Sequence, residues 1–206
     1  DESFYFEEGR RAFEGGQFDQ ALRLFSKVLE FNPKNIAAWS GQVRALIELG
    51  EFPEAKLWSD KALEKFPDEP ELLAAKAVAL GRMGDLKAAL AFSDASIEER
   101  GDTPYIWLAR GDVLMARAEN RAEYCFQKAI AFGPTDWVAR WLASRIHSFY
   151  KKFSIALKFA QEALNLNPGN AAIWMQAGQC QLALGLIVLA ENSFVQARQL
   201  NPQSAE

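Results

Sequence analysis

The chain has 206 residues, 50% of them apolar and 24% charged, with no Gly/Ser/Pro-rich tract, so it has material for a continuous core and no sign of a disordered tail. A net charge of −4 weighs against a nucleic-acid surface that follows phosphates with clustered Lys and Arg. One His and two widely separated Cys leave no metal centre and no disulfide framework to build, so neither metal nor cofactor is expected and Cys125 and Cys180 point to a reducing compartment, read as the cytoplasm.

In chain order, the apolar residues recur at helical spacing, i to i+3 or i+4, and never in sustained strand-like alternation. The first unit carries Tyr5, Gly9 and Phe13, a Gly15-Gly16 turn, then Phe18, Ala21, Phe25 and Val28, and stops near Pro33. The second, from Ile36 to Pro67, repeats it with Trp39, Leu46, a turn at Gly50-Glu51, Ala55 and Ala62. The third begins at Pro70, where a missing N–H costs nothing in the first helical turn, and reverses at Gly84-Asp85.

The fourth unit turns at Ala118-Glu119, one residue short and without glycine. The fifth crowds Trp137, Trp141, Phe149, Tyr150 and Phe153 together and places Lys151-Lys152 at its turn. The sixth is regular again, with Trp174, Gly178, Gly185, Ala190, Phe194 and Ala197. The stops Pro33 and Pro67 lie one 34-residue period apart, as do Pro134, Pro168 and Pro202, and Gly101 fills the gap between the two sets. Such a period is the mark of stacked repeats, each leaving an apolar face that its neighbour must cover.

This pattern resembles the tetratricopeptide repeat, whose first helix carries Trp, Leu, Gly and Tyr and whose second carries Ala, Phe, Ala and Pro. Trp39, Trp107 and Trp174 match its Trp; Gly9, Gly111 and Gly178 match its Gly; Phe25, Phe126 and Phe194 match its second-helix aromatic. Gly101 stands for Pro, Arg140 for Trp and His147 for Tyr. The resemblance implies an all-α fold, a right-handed superhelical solenoid of six helix-turn-helix units with about twelve antiparallel helices. It sets the units at about 2–35, 36–69, 70–103, 104–136, 137–170 and 171–204 of a single array over 1–206. Because repeat sequence begins within a few residues of Asp1 and no Met precedes it, the array is expected to be a segment of a longer protein.

No catalytic constellation stands out. His147 falls where the family packs a tyrosine and is read as a packed, hydrogen-bonded histidine. Cys125 and Cys180 are read as inert packing groups, and no phosphate-cradling glycine loop occurs. In proteins of this kind the first helices line a concave groove. Carried over by position, the lining comprises Phe6, Arg10 and Phe13, then Arg44, Val78, Tyr105, Leu108, Asp112 and Met115, then Trp141, Arg145, Met175 and Gln179. The Lys and Asn set with which some members grip a terminal carboxylate is absent, since Phe6, Arg10, Gly41, Glu71 and Ala75 hold those places.

The resemblance therefore implies a scaffold without catalysis of its own, holding a peptide or partner protein, and Arg10, Arg44 and Arg145 among aromatic and Met side chains suit an amphipathic segment with acidic residues; neither nucleic acid nor a membrane span is expected. Two alternatives stand beside it: a regulatory or substrate-binding segment of a larger enzyme, and a self-assembling structural array. For the second, Leu186, Ile187, Val188 and Leu189 supply an apolar surface at the C-terminal end through which copies could associate.

Overall fold

The computed structural model describes residues 1–201, in which twelve α-helices and no strand occur. Pro202 and the end of the sixth unit at 204 lie outside the described residues. The helices are α1 (Glu2–Glu14), α2 (Phe18–Phe31), α3 (Ile36–Glu48), α4 (Phe52–Lys65), α5 (Pro70–Arg82), α6 (Leu86–Glu99), α7 (Pro104–Ala116), α8 (Ala122–Phe132), α9 (Trp137–Phe149), α10 (Phe153–Leu166), α11 (Ala171–Ala183) and α12 (Ile187–Leu200). They belong to two compact units, Asp1–Ala129 and Ile130–Glu206.

The boundaries follow local chemistry. Asp1, Asn35, Asp136 and Asn170 each accept a hydrogen bond from the backbone N–H three residues on, at 2.8 to 3.1 Å, and so satisfy a donor that the helix start leaves open. Pro70 and Pro104 occupy the first position of their helices. Between the two helices of a unit the backbone passes through the left-handed region, at Gly16, Gly50, Gly84 and Gly185 with φ from 75° to 89°. The two turns that lack glycine take the same conformation on Ala118 (φ 56°) and Lys151 (φ 60°). Geometry, not composition, defines this joint.

Within each unit the small residues let paired helices approach. A Cβ on Gly9 would stand 2.9 Å from the Phe25 ring and one on Gly41 2.7 Å from its other edge, so Phe25 of α2 is clasped between α1 and α3. Gly111 meets Phe126, and Gly178 meets Phe194, in the same way at 2.7 and 2.6 Å. The family's first-helix Gly and second-helix aromatic are thus two halves of one contact. Ala21, Ala55, Ala89, Ala156 and Ala190 are buried on the second helices, where their size keeps the pair close.

In three of the units a tryptophan latches the first helix to the stop before it. The indole N–H groups of Trp39, Trp107 and Trp174 donate to the carbonyls of Pro33, Gly101 and Pro168 at 2.8 to 2.9 Å. Gly101 in place of proline keeps this latch, because only its carbonyl is used. Arg140, in place of tryptophan, reproduces the latch by donating to the carbonyls of Gly133 and Asp136 at 3.1 and 3.2 Å. Both departures from the repeat pattern keep the hydrogen bond and change its donor or its acceptor.

Candidate functional site

In the N-terminal unit the first helices touch one another in succession, α1 with α3, α3 with α5 and α5 with α7. The second helices pack instead against the first helices on either side, α2 on α1 and α3, α4 on α3 and α5, α6 on α5 and α7. A layer whose members are mutual neighbours is the tighter one, so the first helices form the inner face of this unit. In the C-terminal unit α9 and α11 are likewise neighbours, with α10 against both.

Phe13 on α1, Arg44 on α3 and Tyr105 on α7 come together on the inner face of the N-terminal unit. The Arg44 guanidinium carbon lies 4.0 Å from the centre of the Tyr105 ring and 5.4 Å from that of Phe13, which puts both rings within cation–π range. Its Nε is buried and has no hydrogen-bond partner. Burial pushes the Tyr105 hydroxyl well above the usual phenol range; Arg44 opposes the shift, while Glu48, Glu71 and Asp112 add to it. The hydroxyl therefore stays protonated, a donor, at any working pH. Glu71 in turn accepts from the Ser40 hydroxyl at 3.4 Å.

The other N-terminal lining residues divide by exposure. Arg10 is exposed and paired to Glu7 and Glu14 on its own helix at 2.8 and 3.0 Å. Phe6 is half-buried against Phe25, with ring centres 5.8 Å apart, and Met115 is half-buried. Phe13, Val78 and Leu108 are buried and act as packing. Asp112 is buried as well, held by Arg82 through two hydrogen bonds, Nε to Oδ1 at 3.0 Å and Nη2 to Oδ2 at 2.8 Å.

In the C-terminal unit Trp141 is buried against Trp137, ring centres 5.9 Å apart, and the half-buried Arg145 lies over it at 5.8 Å. Met175 and Gln179 are exposed. Sequence reasoning missed the polar seam beneath them. The buried Gln176 amide donates to Ser144 at 3.0 Å and Ser148 at 2.8 Å, and Ser144 donates onward to the Ala156 carbonyl at 2.6 Å. No spacing motif signals such a seam; its one trace is a run of small polar residues on the apolar face of a helix.

The groups with reactive potential are packed away. His147 is buried, its Nδ1 lies 2.7 Å from the Ala143 carbonyl and its ring rests on Phe159. Cys125 and Cys180 form no disulfide and are buried, and burial pushes both thiols up, away from the thiolate. Among the described residues no group of three or more His, Cys, Asp or Glu is arranged to hold a metal, and no helix is long and apolar enough to cross a membrane.

Known proteins agree with this architecture. The family described as Tetratricopeptide repeat matches residues 12–79. The solved structure of TTC0263, a thermophilic TPR protein of Thermus thermophilus, is 21% identical with a TM-score of 0.65, over 88% of this chain and 100% of that one. A tetratricopeptide repeat protein from Parabacteroides merdae ATCC 43184 is 18% identical with a TM-score of 0.59, over 97% of this chain and 78% of that one. The APC/C hetero-tetramer Cut9-Hcn1 gives 16% identity and 0.58, over 98% of this chain and 40% of that one. At these identities the likeness is one of fold. No curated protein sequence matches the chain.

Proposed function

We propose that this chain, an array of tetratricopeptide repeats, is an interaction scaffold that holds a peptide or partner protein against its first helices and carries out no catalysis of its own. The observation that carries the reading is the inner layer formed by α1, α3, α5 and α7, on which Phe6, Arg10, Arg44, Tyr105 and Met115 keep part of their surface in water above a closed core. Aromatic, methionine and arginine side chains on a concave helical face suit an amphipathic segment with acidic groups. Two buried cysteines without a disulfide suit work in a reducing compartment, and the cytoplasm is the setting this reading takes.

The test is capture from a lysate of the source organism with the wild-type array as bait, beside an Arg44→Glu/Arg145→Glu double variant of matched melting temperature. Partners lost from the variant support the inner face as the binding surface. Partners retained by it overturn that assignment.

A second reading, self-association through the C-terminal end, is favoured by one observation: Leu186, Ile187, Val188 and Leu189 put four consecutive apolar side chains on exposed positions, Val188 at 70%. Sedimentation across a concentration range decides it, because a strict monomer at high concentration removes the reading.

A further inference from the structure

We infer that the edge of the C-terminal unit formed by its two helix-to-helix turns is a docking surface for an anionic lipid bilayer, on which the chain lies without spanning it. The inference does not depend on the inner-face reading. The turn after α9 carries the exposed Phe149, the half-buried Tyr150 and the exposed Lys151 and Lys152, and the turn after α11 exposes Leu186, Val188 and Leu189. Ser148, in the last turn of α9, bonds to Gln176 at 2.8 Å and lies 3.4 Å from the Cys180 sulfur, in the last turn of α11. The ends of the two helices are therefore neighbours, and the turns that follow them share one edge.

The chemistry of these turns changes along the chain at fixed positions. The residue after the left-handed one is Gln17, Glu51, Asp85 and Glu119 in the first four turns, Lys152 in the fifth and Leu186 in the sixth. Each of the first four turns carries an acidic side chain, whereas none occurs among residues 137–161 or 163–190. Among the described residues neither Lys151 nor Lys152 meets a carboxylate. Nor does the exposure come from α12 lacking a following neighbour. Lys152 and Ile155, one period before Leu186 and Leu189, are exposed although α11 and α12 follow them.

Aliphatic side chains at the tips of turns enter the boundary between headgroups and acyl chains to a shallow depth, and a Phe-Tyr pair suits the headgroup level. Lysines beside them reach anionic phosphates on long, flexible stems. Charge decides between a bilayer and a second copy of the chain. A two-fold contact through this edge sets like charge against like, with no acid on the edge to offset Lys151 and Lys152. The chain as a whole carries −4, so attraction to an anionic surface has to arise locally, and this edge is where positive charge and exposed apolar surface coincide. Neither contribution is strong alone, and stable docking takes both.

The test is co-sedimentation of the whole chain with vesicles of phosphatidylcholine, either alone or mixed with about 30% phosphatidylserine, at low and high salt. Binding is expected to the mixed vesicles only, and to weaken as salt rises. Lys151→Gln with Lys152→Gln is expected to weaken it by about tenfold or more. Val188→Ser with Leu189→Gln is expected to weaken it by about as much. Both pairs change exposed side chains, and melts followed by circular dichroism check that the variants fold. Equal binding to the two kinds of vesicle, binding to neither, or unchanged binding by either folded variant overturns the inference. Sedimentation velocity without lipid separates the rival occupant: a dimer that the Val188/Leu189 variant loses, with no vesicle binding by the wild type, assigns the run to a second copy instead.

Discussion

Arg82, at the end of α5, grips Asp112 of α7 with two parallel hydrogen bonds of 3.0 and 2.8 Å, and both side chains are almost wholly withdrawn from water, at 6% and 2% exposure. The Phe52 ring lies 5.5 Å from the same guanidinium. Two successive first helices are therefore tied by a buried ion pair whose members are 30 residues apart. Breaking such a pair leaves a buried charge uncompensated. Asp112→Ala is expected to cost about 3–5 kcal/mol. Replacing both residues by Met and Leu, which removes both charges, is expected to recover most of that loss. Urea denaturation of the three chains checks the order; a double variant as weak as Asp112→Ala would show that packing, not the orphaned charge, sets the cost.

Phe25 fills the space between Gly9 and Gly41 and leaves none for a methyl group on either. Gly41→Ala sets a Cβ 2.7 Å from the ring, and Gly178→Ala sets one 2.6 Å from Phe194. Each is expected to destabilise by about 1–3 kcal/mol, well beyond the small gain alanine gives a helix interior. Combining Gly41→Ala with Phe25→Leu should recover part of the loss, because the smaller side chain yields the volume. Thermal melts of the two single variants and the pair test the contact directly.

Lys151 holds a backbone angle that glycine adopts without strain, φ 60°, at the turn between α9 and α10. Ala118 does the same between α7 and α8. At the matching turns Gly50, Gly84 and Gly185 the backbone is the same and no Cβ opposes it. Lys151→Gly and Ala118→Gly are therefore expected to stabilise the chain by up to about 1 kcal/mol each, the relief of left-handed strain exceeding the added freedom of the unfolded glycine. A fall in melting temperature for either would mean that its side chain contributes more than the turn angle costs.

Asp60 gives the stability a dependence on acid. Burial acts to raise its carboxyl, but Lys76 at 2.6 Å and Lys56 at 2.9 Å outweigh it, and the net value lies below the ordinary 3.8. A carboxylate lowered on folding adds stability that is fully present above its unfolded value and is lost as pH falls through the folded one. Asp60→Asn is expected to lower the melting temperature at pH 7, with the difference from wild type closing below pH 3.8. A difference that persists unchanged in acid would assign the effect to packing.

The helices and joints were legible because one structural unit is written six times, so that local signals too weak alone reinforce one another. Even where the glycine was missing, the register of Ala118 and Lys151 placed the turn. The tryptophan latch was half legible: the residues showed, but that Arg140 could take the indole's part depends on reach and carbonyl position, which spacing does not encode. The lining was less legible. Position within a first helix does not say how closely the next helix lies against it, and Val78 and Leu108 are buried for that reason. Asp112 read as a polar lining group because nothing in sequence joins it to Arg82. Arg44 read as one arginine among three; only the structure separates it from Arg10, paired on its own helix, and Arg145, laid over Trp141.

The C-terminal apolar run permits a last prediction. Val188 and Leu189 stand one period after Ser154 and Ile155, which are also exposed although two further helices follow them. Their exposure therefore belongs to this position in the unit. Arg198 is the contrasting case: it occupies the place of Leu29, Leu63, Ile97, Ile130 and Leu164, all half-buried, so the position that earlier units pack is charged here. Polar residues at 188 and 189 should then cost the fold almost nothing. Val188→Ser with Leu189→Lys is expected to leave stability within about 0.5 kcal/mol of wild type. The same variant should bind less of a dye that fluoresces on exposed apolar surface. A large loss of stability would instead place these side chains in a packed contact.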